Sequence, residues 1–297
     1  VIYCEREKTD VKDKYDRIVN LFCADPSTNL RNCLNLAKSS VLFSATLIPI
    51  QYYKSLLGGD PGDFEVYAKS VFKREQCGYY IASDVTSRYS ARTQRQYDAM
   101  ASYVSSVVTA RKGNYIVFCP SHAFLSEVLS SYERIYKETD DVDVVVQKTG
   151  MTEDEKTAFL AEFSALRDRS LVAFCVMGGM FSEGIDLRGS MLIGALIIGT
   201  GIPMVCRRTE LLKSFFDEKG KPGYDYAYCF PGMNKVLQAA GRVIRTSEDR
   251  GVVALLDNRF LENRYIKLFP REWENWSRVD SGEIRNEILD FWDEDEE

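Results

Sequence analysis

Short apolar runs, separated by amphipathic stretches, constrain this chain more than any other feature. They fall at 18–23, 41–44, 79–82, 115–119, 143–146, 171–176, 191–198 and 252–256. Each has the length of a strand, and several are apolar throughout instead of alternating, as strands covered on both faces are. The intervening stretches carry the other period. In 92–112, Tyr97, Met100, Val104, Val107 and Val108 recur close to every 3.6 residues. Thr152 and Glu155 stand at the spacing of a capping box and open a helix expected over 152–166. A third helix is expected over 234–245. Strand and helix in alternation predict an open α/β fold, a mostly parallel sheet with helices on both faces. The turn cluster GGDPGD at 58–63 separates a segment 1–60 from a main body 61–269. Beyond 269 the alternation stops, and a helical, acidic end, 270–297, carries Trp273, Trp276 and Trp292.

Composition removes several classes of function. The 297 residues, 45% hydrophobic and 28% charged, are those of an ordinary globular protein. No apolar run approaches the roughly 20 residues of a membrane span, and the start has neither the basic nor the apolar region of a signal peptide. A cytoplasmic protein is expected, and the start at Val1 suggests a piece of something longer. Eight cysteines, at 4, 23, 33, 77, 119, 175, 206 and 229, form no CxxC pair, and His122 is the single histidine. No metal site is therefore expected, and the thiols read as reduced. A net charge of −6 argues against a histone-like basic coat but leaves local phosphate contacts open.

Three segments carry candidate chemistry. On the expected helix 234–245, Gln238, Arg242 and Arg245 would share one face, an amide and two guanidiniums suited to phosphate oxygens. The same pattern also describes a surface helix whose arginines pair with Glu248, Asp249 or solvent. After the run 171–176 comes GGMFSEGID, in which Gly178, Gly179 and Gly184 allow a ligand close to the backbone, beside Glu183 and Asp186. It reads equally as a plain glycine turn. After 115–119, Pro120 and Ser121 stand at a helix start, where free N–H groups can hold a phosphate or Ser121 can be an ordinary cap. Neither GxxxxGK[ST] nor a DEAH-like acidic tetrapeptide occurs, so no phosphate-cradling loop and no magnesium carboxylate are visible.

In order and spacing these segments resemble the C-terminal motor half of DinG/XPD-type superfamily 2 helicases. SATL at 44–47 resembles motif III, YIVFCPSH motif IV, GGMFSEGIDLRG motif V and QAAGRVIRTSEDRGVVALLDNR motif VI with its following strand. The likeness covers about 18 to 269. It implies a RecA-like fold without its own phosphate loop, within an ATP-driven, 5′→3′ DNA helicase of repair or replication. Arg242 and Arg245 would be arginine fingers, with Gln238 holding their helix. Glu183, Gly184 and Asp186 would line the nucleotide cleft, Ser121 would touch DNA, and Ser44 and Thr46 would couple the motor domains. ATP and Mg2+ would be held mainly by the first motor domain, to whose end residues 1–60 would belong. Single-stranded DNA and that domain are the implied partners, and the chain alone is expected to be inactive. Any iron–sulfur cluster of the family would lie outside this chain, and the protein would be nucleoid-associated in a bacterium or nuclear in a eukaryote. The competing expectations are a translocase that separates no strands and a degenerate RecA-like nucleic-acid-binding module.

Overall fold

The computed structural model describes residues 1–8, 15–138, 140–179, 181, 187 and 189–293. They fall into two compact units, Val1–Val66 with Val205–Ala227, and Tyr67–Met204 with Tyr228–Glu297.

In the first unit, β1 (Ile2–Lys8) and β2 (Tyr15–Leu21) pair as an antiparallel hairpin. The expected strand 18–23 is thus displaced to 15–21 and belongs to the hairpin instead of the main sheet. The expected strand 41–44 does not form. Val41 and Phe43 are exposed there, and no described strand pairs with them, so apolar composition without a ladder partner gave no strand. Short helices α1 (Ser27–Leu34) and α2 (Ile50–Leu56) follow.

The second unit is built on a seven-stranded sheet. Its strands are β3 (Cys77–Ala82), β4 (Asn114–Cys119), β5 (Val142–Val146), β6 (Ser170–Val176), β7 (Gly194–Ile198), β8 (Gly251–Leu256) and β9 (Ser277–Val279). Their order is β5-β6-β4-β7-β8-β3-β9, and every pairing is parallel. Six of the eight expected apolar runs became these strands. β9 has no counterpart among the expected strands, because three residues, Ser-Arg-Val, are too short to show a period.

The helices are α3 (Gln94–Ala110), α4 (His122–Tyr136), α5 (Glu153–Ala161), α6 (Arg207–Glu218, in the first unit), α7 (Phe230–Ala240), α8 (Asn263–Ile266) and α9 (Ile284–Asp293). One core gathers α3, α4 and α9 against alternate residues of the strands, such as Tyr115, Val117 and Cys119 of β4. The intervening Ile116 and Phe118 are equally buried, so the opposite face of the sheet is covered too. α7, packed on β7, and the turn 258–261 around Phe260, packed on β3, lie outside the first core and supply that cover. The acidic end also contributes, since Ile284, Ile288 and Trp292 of α9 are buried in the first core.

Between β7 and α7, residues 205–227 leave this unit and pack with the N-terminal one. Lys219 bonds Asp25 at 2.7 Å, and the Tyr52 and Tyr226 rings meet edge-on at 4.9 Å.

Candidate functional site

A parallel sheet has a carboxyl edge and an amino edge, and the described candidate residues of the second unit divide between them. At the carboxyl edge of β4, Ser121 caps α4. Its Oγ accepts the Phe124 N–H at 3.2 Å, and the 15-residue helix ends its dipole there. At the carboxyl edge of β6, the neighbouring strand, the glycine turn begins. Gly178 has φ +72°, and a Cβ there would meet the Lys235 side chain of α7 at 3.0 Å, so the turn and α7 are in close contact. Gln147, after β5, steadies the turn, its Oε1 accepting the Val176 N–H at 2.8 Å. Glu183, Gly184 and Asp186 lie outside the described residues.

The arginines belong to the other edge. α7 starts beyond β7 and runs back across the sheet, ending where β8 begins. The helix expected over 234–245 is displaced by several residues, since α7 spans Phe230–Ala240 and Gly241 is its C-cap. Gln238 sits in the last turn, whereas Arg242 lies in a tightened turn, its N–H donating to the Ala239 carbonyl at 3.2 Å, and Arg245 lies in the irregular segment beyond. The shared helical face is therefore not formed. Glycine ends the helix because it offers little helical stability and leaves the last carbonyls free for such tight bonds.

Asp249 organises this irregular segment. Its carboxylate, 3% exposed, accepts the N–H groups of Arg245 at 2.6 Å and Thr246 at 2.8 Å, the Thr246 hydroxyl at 2.7 Å and the Gly189 N–H at 3.0 Å. Burial alone would raise its pKa. The four donors outweigh burial and hold the carboxyl below its ordinary value. Asp249 thereby ties the segment after the glycine turn to the segment of the arginines. The sequence had offered Asp249 as a side-chain partner for the arginines, but it holds the backbone of one of them.

A second buried charge, which sequence reasoning missed, lies at the carboxyl edge of β8. Asp257, fully buried, accepts from the N–H and hydroxyl of Ser87, both at 2.8 Å, and from Arg259 Nε at 2.9 Å and a terminal guanidinium nitrogen at 2.7 Å. Burial pushes its pKa up, and Arg259 with the backbone donors brings it below the ordinary range. The only signal for it was an acid directly after an apolar run, in LLDNR.

In the first unit, Ser44 and Thr46 adjoin, with hydroxyls 3.4 Å apart on an exposed stretch. His122 is simply the first residue of α4. Among the described residues no group of three or more His, Cys, Asp or Glu side chains converges as a metal site. Among the described residues no cysteine forms a disulfide, and Cys119 and Cys175 are buried thiols whose ionisation burial opposes.

A family model described as the helicase C-terminal domain matches residues 104–276, more than half of the chain. The chain belongs to that family. The matched stretch of the helicase domain contains Ser121, the glycine turn, Gln238, both arginines, Asp249 and Asp257. Its relatives are ATP-dependent DNA helicases of the XPD and DinG type. It is 27% identical over 237 residues to the ATP-dependent DNA helicase XPD of Sulfolobus acidocaldarius, covering 77% of this chain and 40% of that protein. It is 27% identical over 173 residues to the ATP-dependent DNA helicase YoaA of Escherichia coli, covering 57% and 25%. The chain thus spans less than half the length of these relatives. A solved XPD helicase shares the RecA-like fold, with a TM-score of 0.65 at 24% identity over 86% of this chain and 45% of that one. No helix among the described residues is long and apolar enough to cross a membrane.

Proposed function

We propose that this chain works as the C-terminal motor half of an ATP-dependent DNA helicase, acting 5′→3′ on single-stranded DNA. The observation that carries the reading is the Asp249 junction, which fixes the arginine segment to the stretch following the glycine turn at one edge of the sheet. A phosphoryl group in transfer spreads charge over its equatorial oxygens, and guanidiniums that arrive pre-positioned stabilise that charge without reorganising. Arg242 and Arg245 would supply them as arginine fingers, Arg242 half-buried beside the end of α7 and Arg245 exposed with its backbone fixed by Asp249. Gln238 would orient the end of α7. Glu183, Gly184 and Asp186 would line the nucleotide cleft. The phosphate loop and the magnesium carboxylates would come from a first motor domain, to which residues 1–60 would belong and to which Ser44 and Thr46 would couple. ATP, which would be held there with Mg2+, would supply the free energy of the cycle. Without that domain the chain is expected to hydrolyse no ATP.

At the opposite edge Ser121 and the N-terminus of α4 would contact the DNA backbone. A few such contacts on an acidic chain give weak, salt-sensitive binding. The working location would be the nucleoid or the nucleus.

The test is single-stranded-DNA-stimulated ATP hydrolysis in a protein that joins this chain to a phosphate-loop motor domain. Arg242→Ala and Arg245→Ala should each lower turnover by about 10³-fold or more, the scale of an arginine finger. Unchanged turnover in both would end the finger assignment. ATP turnover without separation of a forked duplex would favour a translocase instead.

A further inference from the structure

We propose that Tyr89 is a base-stacking residue for single-stranded DNA at the carboxyl edge of the sheet. The inference rests on the DNA-binding reading of Ser121 and extends it from phosphate to base.

Tyr89 lies in the connection between β3 and α3, which crosses the edge where open α/β sheets take their ligands. This connection is braced. Ser87 donates its N–H and hydroxyl to the buried Asp257, the Thr86 N–H donates to Gln96 Oε1 at 2.9 Å, and Thr93 caps α3. On that base the Tyr89 residue is 85% exposed. A lone exposed tyrosine means little, and its neighbours are what distinguish it. The Arg92 guanidinium lies 5.3 Å from the centre of the Tyr89 ring and 5.1 Å from that of Phe124. Phe124 is the residue whose N–H Ser121 caps. Ring, guanidinium, ring and helix cap are therefore contiguous.

Arg88 and Arg92 flank the ring in sequence. Arg88 lines a cavity of about 430 Å³ together with Arg278, Asn258, Thr86, Ser83 and Glu262, and the Glu262 carboxylate pairs with the Arg88 guanidinium at 2.5 Å. The second exposed aromatic described in this unit, Tyr67, differs. Its hydroxyl donates to Glu272 at 2.6 Å and Arg271 stacks on its ring, so it serves a local contact. An exposed aromatic plane on a braced connection, backed by a cation, is the chemistry by which proteins hold bases of any sequence.

The experiment is fluorescence anisotropy of the full chain at low salt. The probes are a labelled oligothymidylate and an abasic oligonucleotide of equal length. Tyr89→Ala should weaken oligothymidylate binding at least about fivefold, Tyr89→Phe should leave it unchanged, and both variants should bind the abasic strand as the unaltered chain does. Equal oligothymidylate affinity in Tyr89→Ala overturns the stacking role while the DNA reading stands. An equal loss on both probes overturns it as well, since the ring would then serve the fold or a phosphate. Failure of the unaltered chain to bind either probe removes the DNA reading itself, and the stacking role with it.

Discussion

Replacing Asp249 by alanine tests whether one carboxylate joins the segment of the arginines to the segment at Gly189. The change strands the N–H groups of Arg245, Thr246 and Gly189 and the Thr246 hydroxyl. Hydrogen bonds to a charged group contribute roughly 1.5–3 kcal/mol each, and four taken separately would give about 6 kcal/mol or more. They share one acceptor and do not add, and water can enter beside the exposed Arg245, so the expected loss is about 3–4 kcal/mol. The Asp249→Asn variant keeps an acceptor without the charge and should lose about half as much. At roughly 2–4 °C per kcal/mol for a domain of about 200 residues, the alanine variant should melt on the order of 10 °C lower at pH 7. Urea unfolding followed by circular dichroism gives the same quantity isothermally. The pH dependence has a fixed sign. Because the folded carboxyl lies below its ordinary value, its contribution is complete above about pH 4 and is lost as the pH falls through the depressed value. The gap between the original chain and the variant should therefore close in acid. An alanine variant within about 1 kcal/mol of the original at pH 7 would refute the argument.

Three further outcomes are expected. Arg259→Met leaves the Asp257 charge buried without its guanidinium and should cost about 3–5 kcal/mol by urea denaturation, part of which Asp257→Leu in the same chain restores. Thr152→Ala removes the capping box of α5 and should cost about 1 kcal/mol, read as a shift of the urea midpoint at constant slope. Burial opposes but Lys219 and Ser27 lower the Asp25 pKa to about 2, so its stabilisation of the first unit is complete above about pH 4 and drains away towards pH 2. In Lys219→Met the acid limb of a stability–pH curve should flatten, and an unchanged limb would show that the pair contributes nothing.

The local signals in the sequence translated well because a few neighbouring residues decide them. Thr152 and Glu155 do form the capping box, and Ser121 does cap α4. The period in 92–112 marks α3 to within two residues at each end. The end of α7 departs from the expected 234–245 because the spacing of Gln238, Arg242 and Arg245 fits a helical face, and periodicity does not register what ends a helix. Glycine at 241 and an acceptor at 249 made the chain leave the helix. The run 41–44 failed for the converse reason, since a strand needs a partner and no stretch of sequence contains its own.

What the sequence alone determined is the class of the domain, an α/β sheet with several strands apolar throughout, and the family, carried by long motifs whose residues are contiguous. Only the tertiary structure decided the strand order, the union of 205–227 with the N-terminal unit, and the placing of Ser121 and of the arginines at opposite edges of the sheet. The same holds for both buried carboxylates. Asp249 reaches Gly189 across 60 positions and Asp257 reaches Ser87 across 170. Such pairs come together only after the sheet has chosen its neighbours, and no local pattern announces them.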